Sequence, residues 1–509
     1  MEESYMRRFG DRKLALAGDK RMCRHFYLQF RSLLDIRYYG FTRLDLKDGD
    51  AAAFFEDLQD ITVVPMRPSM VFQENLLFVL CVEHAFRRDY DRVLYQKGLE
   101  WGTDYIDALY IIQYYRRKYR TALPEKKLWI FGAGNNGKYY YQNFFKRAYS
   151  VAGFVSNFEG EKECRGLPVI RPEELLKQEN AYVVICSDAD ILMAEKLCRL
   201  GFLGGRDFCF AETLPKALFH AVGTCQIINS ADCLYRNKEF FSRYYGCNYF
   251  ENVYDLCSDA DNRRLKAYGK FCDVVFYNVA NAGTDEFRNY EPLIARYYKN
   301  AMQISMPFYY FKGQMMQATD GVNPYGLRAY GGQPFWFRGD QEINRMVEEG
   351  CDIEKIVTEV SRENYWSCEE ILKNFRRELK KVEVLDRFSS FPIRQFIEAH
   401  YREISVFVDG THFHRRLYIY IADQIANALG MEPISDPDEI KEAEAPFSAM
   451  PVYPCVQHAL KMEQQNSYPF FNIERGDVEY LDIGEYTRRY ARYVMDVRNM
   501  YKTTGTDWR

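Results

Sequence analysis

Two short stretches far apart in the chain carry side chains able to move a proton and attack an electrophile. Asp409-Gly410-Thr411-His412 follows an apolar run at 404–408 that reads as a strand. His412 is the candidate general base, because an unperturbed imidazole titrates closest to neutral pH. Asp409, three residues earlier, can orient that ring if the loop curls back. Gly223-Thr224-Cys225-Gln226 follows a second apolar run, 217–222, and opens a helical stretch expected to run toward Tyr245. A cysteine at a helix N-terminus is a candidate nucleophile, since the positive dipole end favours thiolate. Gly223, Thr224 and Gln226, together with the N–H groups of the turn, would cradle a phosphate or an oxyanion. The plainer readings are a small buried cysteine and a structural, hydrogen-bonded histidine. His414, Arg415 and Arg416 could touch a diphosphate or simply start a solvated helix, and His458 reads as packed.

A third stretch binds rather than reacts. Residues 127–141, KLWIFGAGNNGKYYY, read as a strand, a glycine turn and a helix start. Gly132, Gly134 and Gly137 form G-x-G-x-x-G, with Asn135 and Asn136 inside the turn. The first glycine allows the tight turn, the second a close backbone approach to phosphate, the third close helix–strand packing. Asn157 ends the next strand, where an Asp or Glu usually holds a ribose 2′-hydroxyl. An amide both donates and accepts, so a nucleotide, NAD(P) or a nucleotide-sugar all remain candidates.

These stretches must be positioned by alternating strands and helices. Residues 13–30 align without a gap on 127–144, and the likeness continues through Arg67-Pro68 with Arg171-Pro172 and through LLFVLC with AYVVIC. Residues of about 10–108 and about 124–211 therefore read as two copies of one α/β unit. Alternation of β and α implies parallel sheets covered on both faces. In the first copy Lys20 and Cys23 replace the second and third glycines, so it reads as a structural half without close phosphate approach. A basic, tyrosine-rich connector, 110–126, reads as a linker helix with its Arg and Lys on a solvated face. Beyond 216 the pattern changes. Strands are expected at 217–222, 273–279, 301–307 and 404–408, with charged periodic helices at 340–349, 353–364 and 368–383 and a further helix at 417–429. The acidic 432–444 stretch reads as a loop, and the helical tail 484–501 as docking on the body or on a second subunit. The expected fold class is α/β: two tandem Rossmann-like parallel units, then a larger α/β unit with added helices. The expected divisions are 1–120, 121–215 and 216–509.

Composition narrows the class. A charged fraction of 28% beside 47% hydrophobic residues fits a globular chain, and the net charge of −4 gives no general pull toward nucleic acid. No apolar run reaches membrane-spanning length, so no membrane insertion is expected. The first residues, MEESYMRRFGDRK, hold no apolar leader, and the 14 cysteines include no C-x-x-C. Reduced thiols, no metal site and a cytoplasmic setting are the expectation.

Two resemblances add to this. The series Gly132–Gly137, Gly153-Phe154, the segment 166–175 and the strand 183–187 resembles the small Rossmann-like domains of bacterial surface-polysaccharide proteins. That resemblance implies a nucleotide-sugar or dinucleotide binder fused to a transferase. Residues of about 216–465 resemble the WcbI-type polysaccharide-biosynthesis family. The matching pieces, in order, are 223–226, 273–277, 307–311, Gly339-Asp340 with 348–350, 411–413 and PVYPCVQHAL at 451–460. It implies a coenzyme A-binding, acetyltransferase-like enzyme of capsule or exopolysaccharide synthesis, taking a small-molecule sugar or nucleotide-sugar. Thr224 and Thr411 replace asparagines of that pattern and Phe413 replaces a proline. The lost amides keep a second expectation open, a non-catalytic nucleotide-sugar-binding or regulatory protein of glycan assembly. A homo-oligomer is compatible with both.

Overall fold

The computed structural model describes residues 12–40, 62–63, 76–82, 94, 98–119, 126–158, 160, 162–250, 267–279, 290–319, 339–434, 449–463, 466–472 and 477–504. Within these the chain is α/β with Rossmann-like parallel sheets, the expected class. The loop 281–284 and most of the acidic 432–444 stretch lie outside the described residues.

The first sheet contains β1 (Lys13–Gly18), β2 (Ile36–Gly40), β3 (Thr62–Val63), β4 (Leu76–Cys81) and β5 (Tyr105–Asp107), all parallel, in the order β3-β2-β1-β4-β5. β4, LLFVLC, is buried at every position, as a central parallel strand covered on both faces must be. The second sheet has β6 (Lys127–Phe131), β7 (Val151–Val155), β8 (Glu163–Cys164), β9 (Leu167–Ile170), β10 (Ala181–Ile185) and β11 (Phe208–Phe210). Its order is β11-β10-β6-β7-β9-β8, so its five parallel strands repeat the arrangement of the first sheet, with β8 an antiparallel addition. In both, β1 and β6 are central and their glycine turns stand at the strand C-termini, the edge where open α/β sheets take ligands. At the second turn a Cβ on Gly137 would lie 1.7 Å from the carbonyl oxygen of Gly132, so only glycine lets the helix start against the strand.

The two sheets are locked through α1 (Lys20–Phe30). His25, 1% exposed, stacks on Phe210 and reaches Asp190 through Nε2 at 2.7 Å and Glu212 through Nδ1 at 2.9 Å. Burial alone would favour the neutral ring. The two carboxylates outweigh it and raise the His25 pKa, and the ring bridges elements of the two sheets. The linker helix α2 (Ala108–Lys118) corrects an expectation. Its Arg116 is not on a solvated face. It pairs with both carboxylate oxygens of Asp273 at 2.7 and 3.1 Å, and Arg117 reaches the same carboxylate at 3.1 Å. The partner lies far along the chain, so the helix sequence alone hides it.

The third sheet is parallel: β12 (Ala217–Gly223), β13 (Tyr244–Phe250), β14 (Val274–Val279) and β15 (Met302–Pro307), in the order β13-β12-β14-β15. The helical reading toward Tyr245 is corrected. α3 (Asn135–Tyr140) belongs to the second sheet; here α4 (Cys225–Leu234) and α5 (Lys238–Arg243) stop at Arg243, and the aromatic run from Tyr244 pairs with β12. The chain leaves β12 to one side for β13 and crosses back to β14, so the C-termini of β12 and β14 stand at a topological switch point, where open α/β sheets take ligands. Buried residues of α6 (Gln341–Glu348), α7 (Ile353–Val360), α8 (Cys368–Asp386), α9 (Arg394–His400) and α10 (Arg415–Ala428) share one hydrophobic core with Phe219, Phe276 and Met306 of this sheet. The tail α11 (Ile483–Thr504) docks on the body: Tyr486, Tyr490, Val494 and Val497 are buried in the same core as α6 and α7. Among the described residues no helix is long and apolar enough to cross a membrane.

Candidate functional site

β12 ends in a turn that only Gly223 can make. Its φ is +151°, and a Cβ there would stand 2.5 Å from Asn278 Oδ1. Asn278, fully buried on β14, accepts from Thr224 N–H at 2.9 Å and donates to Met306 O at 3.2 Å, so it ties the turn to its own sheet. Sequence reasoning missed this residue; the signal was one amide inside the apolar run VVFYNV. Cys225 is then the first residue of α4, half-buried, and points its Sγ at His412 Nε2 across 3.2 Å.

His412 arrives from a segment that is not the expected strand. Among the described residues 404–408 form no strand; a single bridge joins Phe407 to Phe413, with Val408 N–H donating to His412 O at 2.9 Å and His414 N–H to Val406 O at 2.8 Å. An apolar run reads the same whether it pairs in a sheet or is buried as an irregular fold-back. The loop curls back around Asp409. Its Oδ1 accepts from Thr411 N–H at 2.7 Å, His412 N–H at 2.7 Å and the Thr411 hydroxyl at 2.9 Å. Its Oδ2 stands 2.9 Å from His412 Nδ1. A carboxylate only accepts, so the ring proton belongs on Nδ1 and Nε2 turns its lone pair to the sulfur. Cys225, His412 and Asp409 thus form one hydrogen-bonded line of thiol, imidazole and carboxylate, with Asp409 7% and His412 17% exposed in their side chains.

Gln226 holds the two halves of this line together. Its Nε2 donates to Tyr309 O at 2.8 Å and to Thr411 O at 2.5 Å, and its Oε1 accepts from Tyr309 N–H at 3.0 Å. The side chain is fully buried and spent on the backbone, which makes it a clamp on the His412 loop where a ligand contact was expected. Thr224 differs. Among the described residues its Oγ1 is buried without a partner at the N-cap of α4, beside first-turn N–H groups that have no acceptor within the helix. Tyr418 of α10 closes the wall, its hydroxyl near Asn229 Nδ2 and Phe413 N–H. Burial, then the neighbouring Cys225, pushes its pKa far up, so it stays a neutral phenol. His414 caps α10 by accepting from Arg416 N–H at 3.2 Å. Burial and the adjoining Arg416 and Arg415 lower its pKa to about 4, leaving it neutral and unsuited to hold a diphosphate by charge. His458 is exposed, against the expectation that it packs.

The glycine turn after β6 lies at the end of a different sheet. A Cβ on Gly134 would meet no atom within 4 Å, so the loop there faces open space. Asn135 begins α3, and Asn136 donates to Asp188 at 3.1 Å. Asn157 offers its carbonyl to the guanidinium of Arg171, a neighbour that sequence reasoning did not place there.

No protein-family model matches the chain, and no curated protein matches it in sequence. Among solved structures it is similar to WcbI, described as a novel polysaccharide biosynthesis enzyme, in the native protein without a disulfide bond between coenzyme A and one of its cysteines. The TM-score is 0.40 at 15% sequence identity, over 57% of this chain and 94% of that one.

Proposed function

We propose that the unit spanning 216–509 is a cysteine-dependent acyltransferase of surface-polysaccharide synthesis. It moves an acetyl group from acetyl-coenzyme A to a hydroxyl of a sugar or nucleotide-sugar. The observation that carries the reading is the line Cys225 Sγ, His412 Nε2, His412 Nδ1, Asp409 Oδ2, with contacts of 3.2 and 2.9 Å. The donor and acceptor classes rest on the sequence resemblance alone.

His412 Nε2 accepts the thiol proton as Sγ bonds to the carbonyl carbon of the thioester. The carbonyl oxygen takes on negative charge, and the Thr224 hydroxyl with the first-turn N–H groups of α4 would hold it. Collapse breaks the carbon–sulfur bond of the donor, and His412 returns its proton to the departing thiol. The acyl group is then on Cys225. In the second half His412 takes the proton of the sugar hydroxyl, whose oxygen displaces Sγ, and the proton goes back to the cysteine. Asp409 holds the ring in one tautomer and stabilises its charged form throughout.

The glycine turn of a unit spanning 121–215 is proposed as the site of a nucleotide, NAD(P) or nucleotide-sugar. The open face over Gly134 and the close Gly132–Gly137 packing favour a phosphate-bearing ligand there. Residues 1–120 would then be its structural partner.

The test is release of free thiol from acetyl-coenzyme A by the purified full chain, with and without sugar acceptors. Release should disappear in His412→Ala. Equal release by that variant, or none by the wild type with any acceptor, would remove the assignment.

A further inference from the structure

α1 follows the central strand of the first sheet, yet its side chains close on the second. At its C-terminal half the fit is steric. A Cβ on Gly204 would lie 2.2 Å from Gln29 O, and one on Gly205 would lie 2.7 Å from the Phe30 ring. One to two turns earlier charged groups carry the contact, beside the stack of His25 on Phe210. His25 Nε2 and Arg24 Nη2 share Asp190 Oδ2, at 2.7 and 2.6 Å. Arg21 Nε reaches Glu212 Oε1 at 2.9 Å, and the Tyr140 hydroxyl donates to the same oxygen at 3.2 Å. The other oxygen, Glu212 Oε2, is buried and faces His25 Nδ1 at 2.9 Å, off the axis of a straight hydrogen bond. Asp190 opens the helix Asp190–Arg199 that follows β10, Glu212 lies in the short helix Ala211–Thr213 that follows β11, and Tyr140 ends α3.

This arrangement suits one protonation state of the ring. Neutral imidazole has one N–H and one lone pair, and a carboxylate only accepts. With carboxylate oxygens at both nitrogens, a neutral ring must turn its lone pair against one of them, at 2.7 or 2.9 Å. The imidazolium donates on both sides. Arg24 and Arg21 answer Asp190 and Glu212, and the charged partners hold both carboxyls below their ordinary range against the opposing effect of burial. Cys186 also faces Glu212, but burial first and then that carboxylate push its thiol far up, so it stays neutral. The ring is therefore the group of this cluster that changes charge near neutrality. At 1% exposure, solvent screens that change little.

We propose that His25 is a pH-sensitive clasp between the two Rossmann-like units. Protonated, it holds the first turns of α1 on Asp190 and Glu212. Deprotonated, that end of α1 is released while the Gly204 end stays seated, and the Tyr140–Glu212 bond carries the change to α3, the helix that begins at the glycine turn. The proposal rests neither on the acyl-transfer reading nor on a ligand at that turn. The unfolded ring titrates near 6.5 and the folded ring above it, so the clasp is complete below about 6.5 and is lost as pH rises through the folded value. It is tested on the full chain by two measurements on either side of neutrality. Exchange of the histidine C2 hydrogen, read peptide by peptide by mass spectrometry, gives the midpoint at which His25 loses its proton. Backbone amide exchange, corrected for the intrinsic effect of pH and referenced to α8, follows peptides within 20–30, 135–140 and 190–213. A His25 midpoint above 6.5 is expected. Amides of 20–25 and 190–213 should open at least about tenfold more often above that midpoint than below it, with no such step in His25→Gln. A midpoint at or below 6.5, no step at the midpoint, or the same step in His25→Gln would overturn the proposal. Should that variant fail to fold, the two wild-type readings decide.

Discussion

The most informative single substitution is Asp409→Asn. Oδ1 accepts three hydrogen bonds within its own loop, from Thr411 N–H, His412 N–H and the Thr411 hydroxyl. An asparagine carbonyl can keep these, so the fold-back should survive and stability should fall by no more than about 1–2 kcal/mol. The other oxygen faces His412 Nδ1 at 2.9 Å, and in the variant that position becomes an NH₂ donor. Nδ1 must then accept, the ring proton moves to Nε2, and the sulfur loses its proton acceptor. A hydrogen bond to a charged group contributes roughly 1.5–3 kcal/mol, which is about a 10–150-fold change in the reactivity of Cys225. The assay needs no substrate. Alkylation by iodoacetamide is followed by peptide mass spectrometry, with the exposed Cys198 and Cys368 as internal standards. Slowing at Cys225 alone, with the standards unchanged and melting nearly so, is expected. An unaltered Cys225 rate in a folded variant would refute the claim that Asp409 acts on the sulfur through His412.

Two further predictions concern the supports. Gly223→Ala adds a Cβ at φ +151° and 2.5 Å from Asn278 Oδ1, which is bonded on both sides. Strain and overpacking together should cost about 2–6 kcal/mol in denaturant unfolding, and a loss below about 1 kcal/mol would contradict the close-approach argument. Asp340 caps α6, fully buried against the Tyr453 hydroxyl at 2.9 Å, and burial raises its pKa to about 7 from an ordinary 3.8. Between those values the folded state holds a proton that the unfolded chain releases, so this group's contribution is greatest at acid pH and declines as pH rises to about 7. Melting of wild type relative to Asp340→Asn should therefore worsen from pH 4 to pH 7 and then level; a gap independent of pH would rule out the buried carboxyl as its source.

Local chemistry was legible where residue type and element end coincide. Cys225 after an apolar strand, and Asp409 three residues before His412, were readable as candidates, and the α/β class followed from alternating apolar runs. Direction was not legible. Gln226 was read as facing a ligand, yet its amide turns inward to Tyr309 and Thr411, partners 83 and 185 residues away. Arg116 was read as solvated because Asp273 lies 157 residues on. The run before Asp409 was read as a strand because apolarity reports burial and says little about pairing. The Tyr244–Phe250 strand, by contrast, was available from its aromatic content and was missed when the preceding helix was carried on to Tyr245.

The central claim is that the Cys225 sulfur takes the acyl group. Brief incubation of the full chain with acetyl-coenzyme A and no acceptor, acid quench and peptide mass spectrometry read it directly. The account predicts one acetyl group on the peptide holding Cys225, removed on adding the sugar acceptor and absent in Cys225→Ser. Thiol release in which Cys225 is never acetylated, and which survives Cys225→Ser unchanged, would contradict it.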